Sequence, residues 1–167
     1  MKNRFFIIKV FIYFFLIFFA NKILSAELEF NASKIQSLDN GNIIEAYDGV
    51  EIKDIDGIVI NGDKFKYDKI KSIVKINGNI VIIDNINDAT INTEEVIYLR
   101  NENKIITKDF TQIKFNQNYT IDTSNVVYDR NLGIITTQSN TIVKDNLNNT
   151  LNFKGFTLST LKKNFRC

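Results

Sequence analysis

Ile60-Asn61-Gly62-Asp63-Lys64-Phe65-Lys66-Tyr67-Asp68 reads as a strand with a break inside it. Phe65 and Tyr67 alternate with Lys64, Lys66 and Asp68, the period-2 pattern of a strand with one buried face. Upstream, Ile58-Val59-Ile60 runs into Asn61-Gly62, and a glycine inside a strand pattern marks a bulge or a bend. The same phrase returns as Ile91-Asn92-Thr93-Glu94-Glu95-Val96-Ile97-Tyr98 and as Ile121-Asp122-Thr123-Ser124-Asn125-Val126-Val127-Tyr128. Weaker copies start at Phe30 and at Leu151. Recurrence about every thirty residues means one supersecondary unit stacked on copies of itself.

Each copy carries a second apolar stretch after its aromatic, at residues 42–46, 72–76, 104–107 and 134–137. Aligned, Ile44, Val74, Ile105 and Ile135 form one column, and Ala46, Ile76, Thr107 and Thr137 the next column of the same parity. The opposite parity holds Glu45, Lys75, Ile106 and Thr136 and is more polar. Gly49 and Gly78 interrupt the continuations of these strands, which predicts further bends. Clusters of Asn, Asp and Gly at 39–42, 54–57, 100–103, 129–133 and 145–149 supply the turns, because these residues tolerate positive φ or bond their own backbone. The expected fold is all-β, with strand pairs in ~30-residue repeats and no helix after residue 30. Sandwich, jelly roll and β-solenoid all fit that pattern.

Composition narrows the chemistry. Histidine is absent, which removes the commonest general base and the commonest metal ligand. Cys167 is the single cysteine, so no internal disulfide can form. The net charge of +2 comes from Lys2, Arg4, Lys9 and Lys22, which precede the first acidic residue, Glu27. Without them 17 basic side chains face 19 acidic ones, and a near-neutral body has no footprint for nucleic acid. Carboxylates such as Asp54, Asp63, Asp68, Asp84, Asp122 and Asp129 fall at turns or strand ends, where capping and solubility explain them. Asp54-Ile55-Asp56-Gly57 starts like a calcium loop but lacks the remaining ligand positions. No nucleophile elbow, phosphate loop or Cys-x-x-Cys occurs. The expectation is a non-enzyme with no cofactor and no metal.

Residues 1–26 read as a signal peptide: Lys2 and Arg4, an apolar run interrupted by Lys9, and Leu24-Ser25-Ala26 at the exit. The uninterrupted run at 10–20 is short of the ~20 residues a membrane span needs. The competing reading is an uncleaved anchor over 5–26. Either places the body, 27–160, outside the cytoplasm. Residues 161–167 form a tail where the fifth copy dissolves, read either as a truncated continuation or as the end of a stand-alone protein.

The inward-facing set predicted by this register includes Ile60, Phe65, Tyr67, Val74, Ile76, Ile91, Val96, Tyr98, Ile105, Ile121, Val126, Tyr128 and Ile135. These side chains either fill a core or line a long apolar groove between two sheets. A groove of this kind suits aliphatic chains, since burying each CH₂ gains roughly 0.8 kcal/mol.

The pattern apolar-Asn-x-x-x-apolar-x-Tyr-Asp, followed by Gly-Asn-apolar-x-apolar-x-Asp, resembles the OstA-type repeat of lipopolysaccharide-transport proteins. Residues 60–84, with Phe65-Lys66-Tyr67-Asp68 and Asn77-Gly78-Asn79-Ile80-Val81-Ile82, carry it best. Residues 121–145, with Val126-Val127-Tyr128-Asp129-Arg130, come next. The resemblance covers about residues 28 to 160. Within the family, the spacing of the second and third units is most similar to the N-terminal periplasmic domain of the outer-membrane translocon. The periplasmic bridge protein and the inner-membrane-anchored member come after it. The resemblance implies an open, strongly twisted β-jelly roll in the periplasm. Its interior would take lipid A acyl chains of lipopolysaccharide, and its exposed edge strands would join other Lpt-type jelly rolls. The translocon would continue into a transmembrane β-barrel and so attach the domain to the outer membrane. The sequence leaves open whether the chain is such a fragment or a stand-alone bridge protein. A structural or adhesive β-solenoid with a filled core is the rival from another class, and a glycan-binding face is a lesser one.

Overall fold

The computed structural model of the chain describes residues 28–54, 57–160 and 164–166, with side chains through 160. The signal-peptide segment and most of the 161–167 tail lie outside the described residues. Eleven antiparallel strands make one sheet: β1 (Glu29–Leu38), β2 (Ile43–Lys53), β3 (Ile58–Asp68), β4 (Ile73–Asp84), β5 (Ala89–Leu99), β6 (Lys104–Phe115), β7 (Tyr119–Ser124), β8 (Val127–Asp129), β9 (Ile134–Asp145), β10 (Thr150–Ser159) and β11 (Asn164–Arg166). Neighbours in sequence are neighbours in space, except that β7 and β8 share the place between β6 and β9. Two 3₁₀ turns, at 39–41 and 100–102, are the only helical geometry among the described residues. The fold is all-β, as the strand patterning predicts, and jelly-roll-like, as the resemblance implies.

The bend inside each strand follows from parity. Ile60 and Phe65, Ile91 and Val96, and Ile121 and Val126 are separated by an odd number of positions, so a regular strand would put the members of each pair on opposite faces. All six are buried on the same side. Parity is reset by bulges, seen as register shifts between Asn61 and Lys64, between Asn77 and Ile80, and between Thr93 and Glu95. Gly78 takes φ +83° within this series, a conformation open to glycine at little cost. At Gly62 the constraint is space, because a Cβ there would lie 2.6 Å from Ile76 Cγ2.

The bulges divide the inward residues into two rows. One is Phe30–Ile52–Ile60–Ile82–Ile91–Ile113–Ile121–Val143–Leu151, running strand to strand. The other is Ser37–Ile44–Tyr67–Val74–Tyr98–Ile105–Tyr128–Ile135–Leu158. On a flat sheet these rows would never meet. Val74 and Asp84 lie at opposite ends of β4, about ten residues and hence ~33 Å apart along a straight strand. Yet Tyr128, three ladder steps from Val74, places its Oη 2.8 Å from Asp84 Oδ2. The sheet therefore folds over at the bulges. It makes two layers that face each other, joined along the bend by continuous strands and along the opposite side by a seam of turns.

Candidate functional site: the interior and its seam

Every candidate residue of the sequence reading lies in one buried cluster. Ile60, Ile91 and Ile121 sit in one layer. Tyr67, Val74, Tyr98, Ile105, Tyr128 and Ile135 sit in the other, and Phe65, Ile76, Val96 and Val126 flank the bend. Tyr67, at 8%, is the most exposed of them. The stripe is thus two facing walls in contact rather than one continuous face.

Both ends of the interior reach an edge strand. At β1, Phe30 packs on Phe65 with ring centroids 4.9 Å apart, and on Tyr67 at 6.1 Å. Phe30, Ala32 and Ile44 are only partly buried there. Ile35 pairs with the fully buried Ala46, yet 55% of it is exposed, because no strand lies beyond β1 among the described residues. At β10, Leu151 pairs with buried Val143 and is 59% exposed. β11 covers only Thr157–Ser159 of that edge.

Between these ends the bend changes character. Val50 and Ile80 line it in the first half; Thr93, Thr107, Thr111, Thr123, Thr137 and Thr141 line it in the second. Their hydroxyls pair with one another or with backbone: Thr107 with Thr111 at 2.7 Å, Thr123 with Thr141 at 2.9 Å, and Thr137 donating to the Ser124 carbonyl at 2.6 Å. Satisfied hydroxyls make a buried polar layer affordable in a sheet interior.

The seam was not legible as a site in the sequence. Asp54 and Asp84, assigned above to turn capping and the solvated surface, are 9% and 2% exposed and face the opposite layer. This corrects the surface reading of both. Asp84 does cap its turn, accepting from the backbone N–H groups of Ile86 and Asn87. It also accepts from Tyr128 Oη at 2.8 Å and from Arg130 Nε at 3.2 Å. Asp54 accepts from Tyr98 Oη at 2.8 Å, with Arg100 Nε 3.8 Å away. Arg100 Nη1 donates to Tyr67 Oη at 2.8 Å, and Arg130 Nη1 to Asn103 Oδ1 at 2.8 Å. Thr160 Oγ1 meets Asn87 Oδ1 at 3.2 Å and closes the series. Asp54, Tyr98 and Arg100 recur as Asp84, Tyr128 and Arg130, each shifted by the same repeat. That shared phase is the signal a sequence reading could have used.

The electrostatics follow from this packing. Burial pushes the Tyr98 and Tyr128 phenols well above the usual tyrosine range, and the adjacent carboxylates push them further. Burial by itself would raise Asp84; hydrogen bonds from Asn87 and Tyr128, with the Arg130 charge, outweigh it and hold the carboxyl below its ordinary value. Arg130 stays charged, since the Asp84 carboxylate more than offsets the desolvation of its guanidinium.

On the outside, an open recess of about 530 Å³ follows the bulges of β1 to β4, lined by Asn31, Ser33, Glu51, Asn61, Asp63 and Asn79 among others. Its polar lining makes it unsuited to an acyl chain.

The family model described as OstA-like protein matches residues 25–103. This stretch, a little under half of the chain, is similar to that family. No curated protein matches the chain. Beyond the OstA-like segment, β6 to β10 continue the same two inward rows, so the second half is built to the same plan. OstA-like domains are associated in general with lipopolysaccharide transport and are in general periplasmic. Among the described residues no helix is long and apolar enough to cross a membrane.

Proposed function

We propose that this protein is a non-catalytic periplasmic module of lipopolysaccharide transport. It holds lipid A acyl chains between its two layers and docks edge to edge with other Lpt-type jelly rolls. The observation that carries this reading is the pair of inward rows running from one edge strand to the other. They end on β1 at half-buried Phe30 and exposed Ser37, and on β10 at exposed Leu151 and buried Leu158. Ile35, between the two row ends on β1, is exposed as well. A chain with a closed core would cover such ends; here a neighbouring strand would continue them. Strand addition also satisfies the edge N–H and C=O groups.

Photo-crosslinkers at Phe65, Ile76, Val96 and Tyr128, with Lys114 as an outward control, test the lipid reading in cells. Capture of lipopolysaccharide at the four interior positions and not at Lys114 supports it. Equal capture at all five, or at none, removes it. One observation favours a second reading, a structural β-protein with a filled core: the candidate walls are in contact and almost wholly buried. Failure of interior capture would leave that reading standing. Attachment to the outer membrane is a separate matter, decided by membrane fractionation of the natural polypeptide.

A further inference from the structure

The seam is held differently from the bend. Along the bend, strands pass from layer to layer and carry their ladders with them. At the seam, among the described residues, the backbone bonds of the turns each stay within one layer. Arg100 N–H bonds to the Ser72 carbonyl, Arg130 N–H to Asn103 and Asn116 N–H to Asp88. What crosses is made of side chains: Tyr98 to Asp54, Tyr128 to Asp84 with Arg130, and Thr160 to Asn87. Side-chain contacts can break and re-form without disturbing a single strand pairing. The two layers therefore have a natural line along which to part and a natural hinge opposite it.

An amphiphile makes use of such a line. Its acyl chains gain by entering the interior, while its polar head must stay in water because burying unpaired polar groups is costly. Such a molecule enters a tube sideways, through a slot that runs the length of the seam. The Asp54–Tyr98–Arg100 and Asp84–Tyr128–Arg130 groups lie directly across that slot, one repeat apart.

We propose that these two clasps are successive gates on a lateral slot. They open along the seam to admit acyl chains and let the head of the amphiphile pass outside, with the bulged bend as hinge. This rests on the lipid-carrier reading above. It adds the route of entry and the residues that control it. Each clasp keeps its carboxylate and guanidinium paired with each other when closed. The packed walls are accordingly the closed state, and an open interior is a state the clasps hold back.

Two arms test the gate separately from the lipid reading. In the first, Val96→Cys is placed in a Cys167→Ser background and its reaction with a maleimide is timed without lipid. Tyr98→Phe with Tyr128→Phe, which keeps both rings and removes both bonds to carboxylate, is expected to speed labelling at least tenfold. Ile121→Ala, which weakens the core and removes neither clasp bond, is the control for general loosening. If the tyrosine variants label no faster than the parent, or no faster than an Ile121→Ala protein of matched melting temperature, the gate is overturned. In the second arm, Asn87→Cys with Thr160→Cys bridges the seam by a disulfide, with the photo-crosslinker at Val96. Lipopolysaccharide capture lost on oxidation and restored by reduction supports the gate. Capture that persists through oxidation overturns the gate and leaves the lipid carrier intact. If no capture occurs in the parent the carrier reading fails, and the labelling arm alone decides whether the seam opens.

Discussion

At the scale of single residues, the seam carries the sharpest expectations. Asp84→Ala would leave Arg130, whose side chain is 4% exposed, without its carboxylate. Removing one partner of a buried pair costs about 3–5 kcal/mol, so this substitution should destabilise far more than loss of an outer-face pair such as Lys66–Glu45. Denaturant titration of the two variants checks the order. The pH dependence follows from the directions of the shifts. Asp84 is held below its ordinary value, so its contribution is full above pH ~4, the unfolded carboxylate range, and is lost as pH falls through the lower folded value. Tyr98 and Tyr128 are raised, so their contribution is full below pH ~10 and is lost as pH climbs toward the folded values. Melting temperatures should be level near neutrality and fall on both flanks. Tyr98→Phe with Tyr128→Phe should flatten the alkaline flank, and Asp84→Asn the acid one; unchanged flanks would show that these groups do not set the limits.

At the scale of the strand, the bulges do the architectural work. They reverse parity so that both halves of a strand face inward, and they turn a flat meander into two layers. Gly78→Ala tests this at one bulge. The residue has φ +83°, and its new Cβ would fall 2.5 Å from Asp63 Oδ2 and 3.1 Å from Asp63 Cβ. Backbone strain in this region costs on the order of 1–3 kcal/mol. Amide exchange should therefore rise in the β3–β4 pair before it rises in the β9–β10 pair. Gly62→Ala should cost a similar amount for a different reason, since it overpacks Ile76 without straining the backbone. Gly62 and Gly78 made these bends legible beforehand, because a glycine inside a strand pattern marks a bulge or a bend. The threonine layer was less legible. Thr107 and Thr137 fell in the inward column by parity, but that their hydroxyls find partners inside depends on strands meeting at the bend.

At the scale of the whole molecule, the open edges set the behaviour. Ile35 and Leu151 are interior residues left in solvent by the end of the sheet, so Ile35→Lys and Leu151→Lys should leave the monomer's melting temperature nearly unchanged. The parent should form end-to-end species in sedimentation, and these variants should abolish that concentration-dependent association. A parent that stays monomeric at all concentrations would remove docking between copies of this chain. It would leave open docking to a different jelly roll, which co-purification would then address. By itself, the sequence determined the all-β class, the repeat, the turns and the apolar stripe, though not core residues such as Ile113, Phe115 and Val143. Those properties are local: parity, turn chemistry and apolar spacing act within a few residues. Only the tertiary structure decided that the stripe is two walls in contact, and that Asp54 and Asp84 leave the surface to hold Tyr98 and Tyr128. Those contacts join residues far apart in the chain, and they exist only once the bulges have folded the sheet onto itself.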